Sequence, residues 1–249
     1  NIHRAPMRTW VAAMMRVLFV TNTFPPDYTG GAEVSLYHTC RGLMDAGVVC
    51  RVLHVNNRRT SAGEDWRSVD GIPVHRVQFN SHRIWQDVLD RRIIGAVRQD
   101  IRRFRPNLVH VHNVSGASLA PFVACREENA PVVSTLHDHW LLCPNNMLYR
   151  RDGFTCDPAA HANGCGQCLR RYDYWADIPG RRRLFAALTA DVRLFISPSQ
   201  ALIAEHVASG YAPSRFRRVR HGIEDRPIPS ADLSGVVARV CETAQTRPI

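Results

Sequence analysis

The chain has 249 residues, 45% of them hydrophobic, and a formal net charge of +10, which suits one large domain or one and a half ordinary ones. All of the positive charge is arginine, because the sequence contains no lysine; Schiff-base lysines and the P-loop lysine are excluded, and a phosphate held by a side chain must be held by a guanidinium fork. No stretch approaches the ~18 uninterrupted apolar residues of a membrane-spanning helix, and the apolar run 10–20 is broken by Arg16 with no small-residue cleavage site after it, unlike a signal peptide.

Residues 1–14 read as a leader, with a natural start at Met14 or Met15, and the protein as cytoplasmic. RVLFVTN (16–22) predicts a buried parallel strand, short, apolar and ending in turn residues. A helix follows over 32–46, with Val34, Leu36, Leu43 and Met44 at helical spacing and Gly47 as its stop. The second strand is 49–55, and a third, 73–77, comes after a polar loop. Residues 84–104 read as one long basic amphipathic helix with Ile93, Val97, Ile101 and Phe104 on one face, ended by Pro106. Then come a strand at 108–112, a helix over about 117–128, a strand at 132–136, and a segment, 139–170, with neither period. A helix near 174–190, a strand at 193–197, a helix at 199–209 and a strand around 216–220 complete the pattern. This alternation predicts an α/β fold, a doubly wound, mainly parallel Rossmann-like sheet flanked by helices with an irregular Cys-rich loop. One domain covers 15–224, and 225–249 reads as a linker and the start of another.

The arginines cluster at Arg91-Arg92, Arg102-Arg103-Arg105, Arg181-Arg182-Arg183 and Arg215-Arg217-Arg218-Arg220. The plain reading is a solvated face; the alternative is attraction to an anionic membrane surface or acceptor. Nucleic acid is not expected as a partner, because no nucleic-acid module accompanies the charge. Cys40, Cys50 and Cys125 sit in apolar contexts as small core residues. Cys143, Cys156, Cys165 and Cys168 crowd together at spacings x12, x8 and x2. In a reducing compartment a structural zinc is the first reading, with His161 as a further candidate ligand. An iron–sulfur cluster and free thiols are the alternatives. A closed four-thiolate site would stabilise its loop and not catalyse.

In such a sheet ligands lie beyond the carboxyl ends of the strands. That rule gathers 25–31, 110–115, 137–140 and 221–224 onto one rim. The Gly30-Gly31 pair does not fit a nicotinamide cofactor, since Val55-Asn56-Asn57 stands where an acid should hold the ribose. The pair either makes a tight turn with positive φ or bares the N–H groups of a helix start to an anion or a sugar hydroxyl. His110 and His112 alternate on one strand and share a face; only His112 lies near enough to the end to reach a ligand. His137 and Asp138 close the strand at 132–136.

The segments MRVLFVTNTFPPDYTGGAEVSLYHTCRGL, RPNLVHVHN, STLHDHW, LFISPSQ and RRVRHGIE occur in an order that closely resembles glycosyltransferase family 4, the retaining nucleotide-sugar enzymes of two-Rossmann GT-B fold. The resemblance implies that Gly30 and Gly31 pack against the donor diphosphate and the transferred sugar. It implies catalytic positions at His137, which contacts the donor sugar, and Asp138, with Glu33, His112 and Asn113 on the same cleft. Ser197 and Ser199 match a helix-capping pattern. His221, Gly222 and Glu224 match the family's hinge, with His where Asn is usual.

The activity so implied is transfer of a sugar, with retention, from a nucleotide-sugar donor to a glycan, lipid-linked or small-molecule acceptor. No metal acts at the reacting centre, and no Asp/Glu pair is placed for a two-carboxylate scheme. The family's second Rossmann domain is missing from the sequence, so these residues read as the acceptor-side half, inactive alone, with a candidate contact to the inner face of a membrane. A GT-B-like binding module that docks a partner without catalysis is the alternative, and a GT-B epimerase a third reading.

Overall fold

Uninterrupted runs such as VLFV are buried on both sides when a strand has neighbours to left and right and helices on both faces. The computed structural model describes residues 15–27, 30–57, 61–80, 84–150, 153–156 and 178–222. In it β1 (Arg16–Thr21), β2 (Val49–Asn56), β3 (Gly63–Val69), β4 (Ile72–Gln78), β5 (Leu108–Val111), β6 (Val132–Thr135), β7 (Val192–Ser197) and β8 (Phe216–Arg218) form one sheet. Their order is β3-β4-β2-β1-β5-β6-β7-β8, and every pairing except β3 with β4 is parallel. The helices are α1 (Gly31–Asp45), α2 (Arg91–Phe104), α3 (Ala120–Glu127), α4 (Ile178–Leu188) and α5 (Gln200–Ala208).

The sheet separates two cores. Val17, Phe19, Val52 and Val74 face Leu36 and Cys40 of α1, while Leu18, Val20, Leu53, Val109 and Val111 face Ile93, Val97 and Ile101 of α2 and Phe122 of α3. The chain runs outward from β1 to β2 and later returns to β5 on the other side of β1. The direction of winding therefore reverses between β1 and β5, where the open sheet leaves a crevice at the carboxyl ends.

Four sequence expectations need correction. The polar loop before the third strand contains β3, an antiparallel edge strand joined to β4 through Asp70 (φ 48°) and Gly71 (φ 82°). Those two positive φ values make the tight hairpin turn that Asp-Gly favours. The helix expected over 84–104 is two pieces, a 3-10 turn at Ile84–Asp87 and then α2. Asp90 breaks them apart: its carboxylate caps α2 by accepting from the Arg92 backbone N–H at 2.9 Å and takes Asn57 Nδ2 at 3.2 Å. The aperiodic segment read as an irregular loop is partly core, since Trp140, Leu141, Leu142 and Leu148 are buried in the larger cluster. Finally, the Arg181-Arg182-Arg183 run is not wholly a solvated face. Arg181 is 3% exposed, lies 3.9 Å over the Phe185 ring and donates to the backbone carbonyls of Leu141 and Trp140. The N-terminal leader, residues 174–177 of the expected helix, and 225–249 lie outside the described residues.

Two ties built on arginine and histidine hold the edge hairpin. Arg67 donates two hydrogen bonds to Asp27, at 3.0 and 3.2 Å, and Arg76 and His54 also approach that carboxylate. Burial pushes Asp27 up, but Arg67, His54 and Arg76 hold it below its ordinary value. On the same hairpin His75 bonds the buried Asp100 of α2 and, at 3.0 Å, Glu64, with the Trp66 ring stacked on it at 4.2 Å. Burial alone would depress the His75 pKa; the bonds and charges of Asp100 and Glu64 outweigh it and raise it above 6.5.

A group whose folded pKa is raised contributes stability that is complete below its unfolded pKa and is lost as pH rises through the folded one. In urea unfolding from about pH 5.5 to about pH 8.5, the stability gap between the native chain and His75→Gln should therefore be widest at the acid end and narrow above pH 6.5. A gap independent of pH would contradict the charged pairing. Arg181→Ala should lower stability by about 2–4 kcal/mol, because two carbonyls lose their donor and two rings lose their cation; a surface-like loss below about 0.5 kcal/mol would contradict its core role.

Candidate functional site

The crevice between the ends of β1 and β5 is built from backbone outward. β1 pairs with β5 at Val20 and Val111, and the His112 N–H donates to Val20 O at 2.8 Å. Asn22, just past β1, donates to the Ser115 carbonyl, and Asn56 at the end of β2 donates to the Asn22 carbonyl at 2.8 Å. Gly116 sits at φ 87°, and a Cβ there would meet Asn56 Oδ1 at 3.4 Å. That glycine is required by its left-handed conformation. Three loops are thereby laced together beside the site, by asparagines whose only sequence signal is their place at strand ends.

On one side of the crevice stands the start of α1. Gly30 is its N-cap, in extended conformation, and the Gly30 N–H donates to Glu33 Oε2 at 2.8 Å. Glu33 was expected to line the cleft; at 4% exposure it instead closes the helix cap. The tight-turn explanation of the glycine pair does not apply. Gly30 has φ −111°, and a Cβ added to Gly31 would meet no atom within 4 Å. Nothing in the fold asks for glycine at 31. The space beside Gly31 is open among the described residues, and the N–H groups of the first turn have no partner earlier in the helix.

On the other side is a file of imidazoles. His110 lies against Phe19 of β1 at 5.3 Å and binds Thr135 Oγ1 at 2.8 Å through Nε2. His112 packs on His110 at 4.3 Å and shares a hydrogen bond between its Nδ1 and His137 Nε2 at 2.9 Å. His221 stacks on His137, centroids 5.5 Å apart and planes within 16°, and its Nδ1 meets Ser35 Oγ of α1 at 2.7 Å. The hinge position thus reaches both the histidine file and the first helix. Burial, and secondarily neighbouring imidazoles, lower the pKa of His137 to about 4 and that of His110 to about 4, and hold that of His112 well below the ordinary imidazole value. At neutral pH these three rings are uncharged donors and acceptors.

His112 was expected to reach a ligand, but it is 3% exposed and meets His137 instead. Asp138 turns the chain after β6, accepting from the Trp140 N–H at 2.8 Å, and burial raises its pKa. Asn113 accepts from the Ser115 N–H at 3.3 Å. Ser199 caps α5 through the Leu202 N–H, as its sequence pattern suggests. Gly222 is exposed beside His221, and Glu224 lies outside the described residues. Cys143 is a half-buried free thiol and Cys156 is half-buried, both packed against the larger core; Cys165, Cys168 and His161 lie outside the described residues. Among the described residues no group of three or more His, Cys, Asp or Glu side chains could hold a metal ion.

Sequence reasoning missed Ser35, Asn22 and Asn56. It also missed the reach of His221 to His137, which no local spacing encodes. No described helix is long and apolar enough to cross a membrane.

A curated relative from Klebsiella pneumoniae, named an uncharacterized 42.6 kDa protein in the cps region, is 25% identical over 149 residues. That match takes in 55% of this chain and 40% of the relative. In fold the chain is similar to Anabaena Alr3699/HepE in complex with UDP, with TM-score 0.54 and 17% identity over 91% of this chain and 50% of that one. HepE in complex with UDP-glucose gives 0.53 at the same identity and coverage. The chain thus spans half or less of the length of these relatives. The sequence profile of Glycosyltransferase Family 4 matches residues 29–226, from the start of the glycine loop past His221, and the protein belongs to Glycosyltransferase Family 4.

Proposed function

We propose that the chain forms the acceptor-side half of an enzyme that transfers a sugar, with retention, from a nucleotide-sugar donor to a glycan, lipid-linked or small-molecule acceptor. The observation that carries this reading is the glycine-fronted start of α1, joined through Ser35 and His221 to the uncharged, ring-stacked His137 at the switch-point crevice. HepE, similar in fold, binds UDP and UDP-glucose, which supports a uridine-diphosphate sugar as the first donor to test.

In this reading the helix end, whose first-turn N–H groups have no partner earlier in the helix, sits where diphosphate charge develops as the sugar departs. His137, neutral in its buried place, offers a hydrogen bond rather than a charge. Retention without a metal at the reacting centre is part of the proposal, as are a cytoplasmic setting and a peripheral contact with the inner membrane face. The arginine-rich exterior supports that contact. A zinc held by Cys143, Cys156, Cys165 and Cys168 would brace the segment after His137.

Radiolabelled UDP-glucose supplied with membranes and soluble glycans tests the reading. The protein extended through the family's second domain should move label into an acceptor, while residues 1–249 alone should not. Robust transfer by the 249-residue chain would refute the half-enzyme assignment, and no donor use by the extended protein with any nucleotide-sugar would refute transfer itself. In the extended protein Gly31→Ala should leave thermal stability unchanged or higher, since glycine is a poor helix former and space is open there. It should nonetheless weaken donor use at least tenfold by placing a methyl group where the ligand approaches. Loss of stability in step with activity would instead make Gly31 a folding requirement.

A further inference from the structure

The His112–His137 hydrogen bond can be made in two ways, because a neutral imidazole carries one N–H and one bare nitrogen. Either His112 Nδ1–H donates to a bare His137 Nε2, or His137 Nε2–H donates to a bare His112 Nδ1. The two differ in what they leave at the far nitrogen of each ring. His112 Nε2 is buried with no hydrogen-bond partner. In the first arrangement that orphan is a bare lone pair; in the second it is an N–H with nothing to receive it. Orphaned buried N–H groups are the rarer and less tolerated case, so the first arrangement prevails. His137 then carries its proton on Nδ1, the nitrogen without a hydrogen-bond partner among the described residues.

We infer that His112 is a positioning residue that sets His137 as its Nδ1–H tautomer, so that His137 presents a hydrogen-bond donor, not a base, to an oxygen of the ligand in the crevice. The ring's plane is fixed as well as its proton. His112 holds one edge at 2.9 Å, and His221 covers one face, itself held by Ser35 at 2.7 Å. The low pKa values of both rings keep the pair in a single neutral form over the working range. The tautomer stands on the structure alone; only the identity of the oxygen, in a sugar hydroxyl or a phosphate, rests on the reading proposed above.

Long-range nitrogen–proton spectra of histidine-labelled full-length protein read the tautomer directly, with His137→Asn identifying the resonances. The expected pattern is a protonated Nδ1 and bare Nε2 on both His112 and His137. A protonated His137 Nε2, or an averaged pair of resonances, would overturn the inference. His112→Asn, which keeps an N–H near the place of Nδ1, should preserve the His137 pattern. His112→Leu should move it toward the Nε2–H form, and an unchanged pattern in His112→Leu would remove the positioning role. If that variant does not fold, the native spectrum still decides.

Added UDP and UDP-glucose separate the two sources of oxygen. A shift of the His137 Nδ1–H resonance with UDP itself assigns a phosphate, and a shift only with UDP-glucose assigns a sugar hydroxyl. Binding of both, seen elsewhere in the spectrum, without any change at His137 would overturn the donor role while leaving the tautomer intact. Failure of either to bind anywhere would count against the UDP-sugar reading and not against the tautomer.

Discussion

Every part of the site is measured from one backbone pairing, that of β1 with β5. The two strands run parallel to the last residue, and the hydrogen bond from His112 to Val20 O carries the ladder one step past β5. Because the winding reverses there, the loop to α1 and the loop to α3 leave toward opposite faces and cannot fill the space between them. Phe19, one residue before Val20, supports both His110 and His112. β6 then brings His137 alongside, and β8 leads the chain back to His221. A shift of one residue in β5 would turn both histidines to the α2 face and dissolve the file.

The charge of the molecule and the chemistry of the site are kept apart. With no lysine, every cation is a planar fork, suited to two-point ties with carboxylates and carbonyls. Among the described residues many are used that way. Arg67 and Arg76 hold Asp27 at the mouth of the glycine loop, Arg98 and Arg102 join α2 to Glu128 beyond α3, Arg215 caps carbonyls near the start of β7, and Arg181 sits inside the core. These ties order the framework more than they add stability where they are exposed. The crevice itself is lined by the buried, uncharged rings of His110, His112 and His137 and by a helix start. Such groups recognise oxygen by direction, and they keep their preferred protonation because burial penalises the charged form.

The edge hairpin shows how a legible signal can be passed over. Val-Asp-Gly-Ile between two polar-and-branched runs marks a two-residue hairpin turn, yet the high charge of GEDWRSV reads as loop when hydrophobicity alone is weighed. Its strand is paired on one side only, so its outward positions stay charged, as edges require. Arg67 finds its partner Asp27 40 residues away in sequence, while Trp66 stacks on His75 directly opposite it in β4. The long basic helix fails for a different reason. Its period is continuous through Asp90, but Asp90 is fully buried and bonded to Asn57, and that contact ends one piece and starts the next.

From sequence alone the alternation of strands and helices, the parallel sheet, the rim on which the glycine pair, His112, His137 and His221 lie, and the family were already determined. Each is written in local pattern: strand and helix periods, cap residues, and the order of short motifs. What only the tertiary structure decided is how those rim residues meet. Glu33 turns inward to cap its own helix, His112 is buried against His137, and His221 stacks on His137 while bonding Ser35, 186 residues away in sequence. Side-chain partners across such separations depend on packing density and on which buried polar atoms find a match. Neither property is carried by any local stretch of chain.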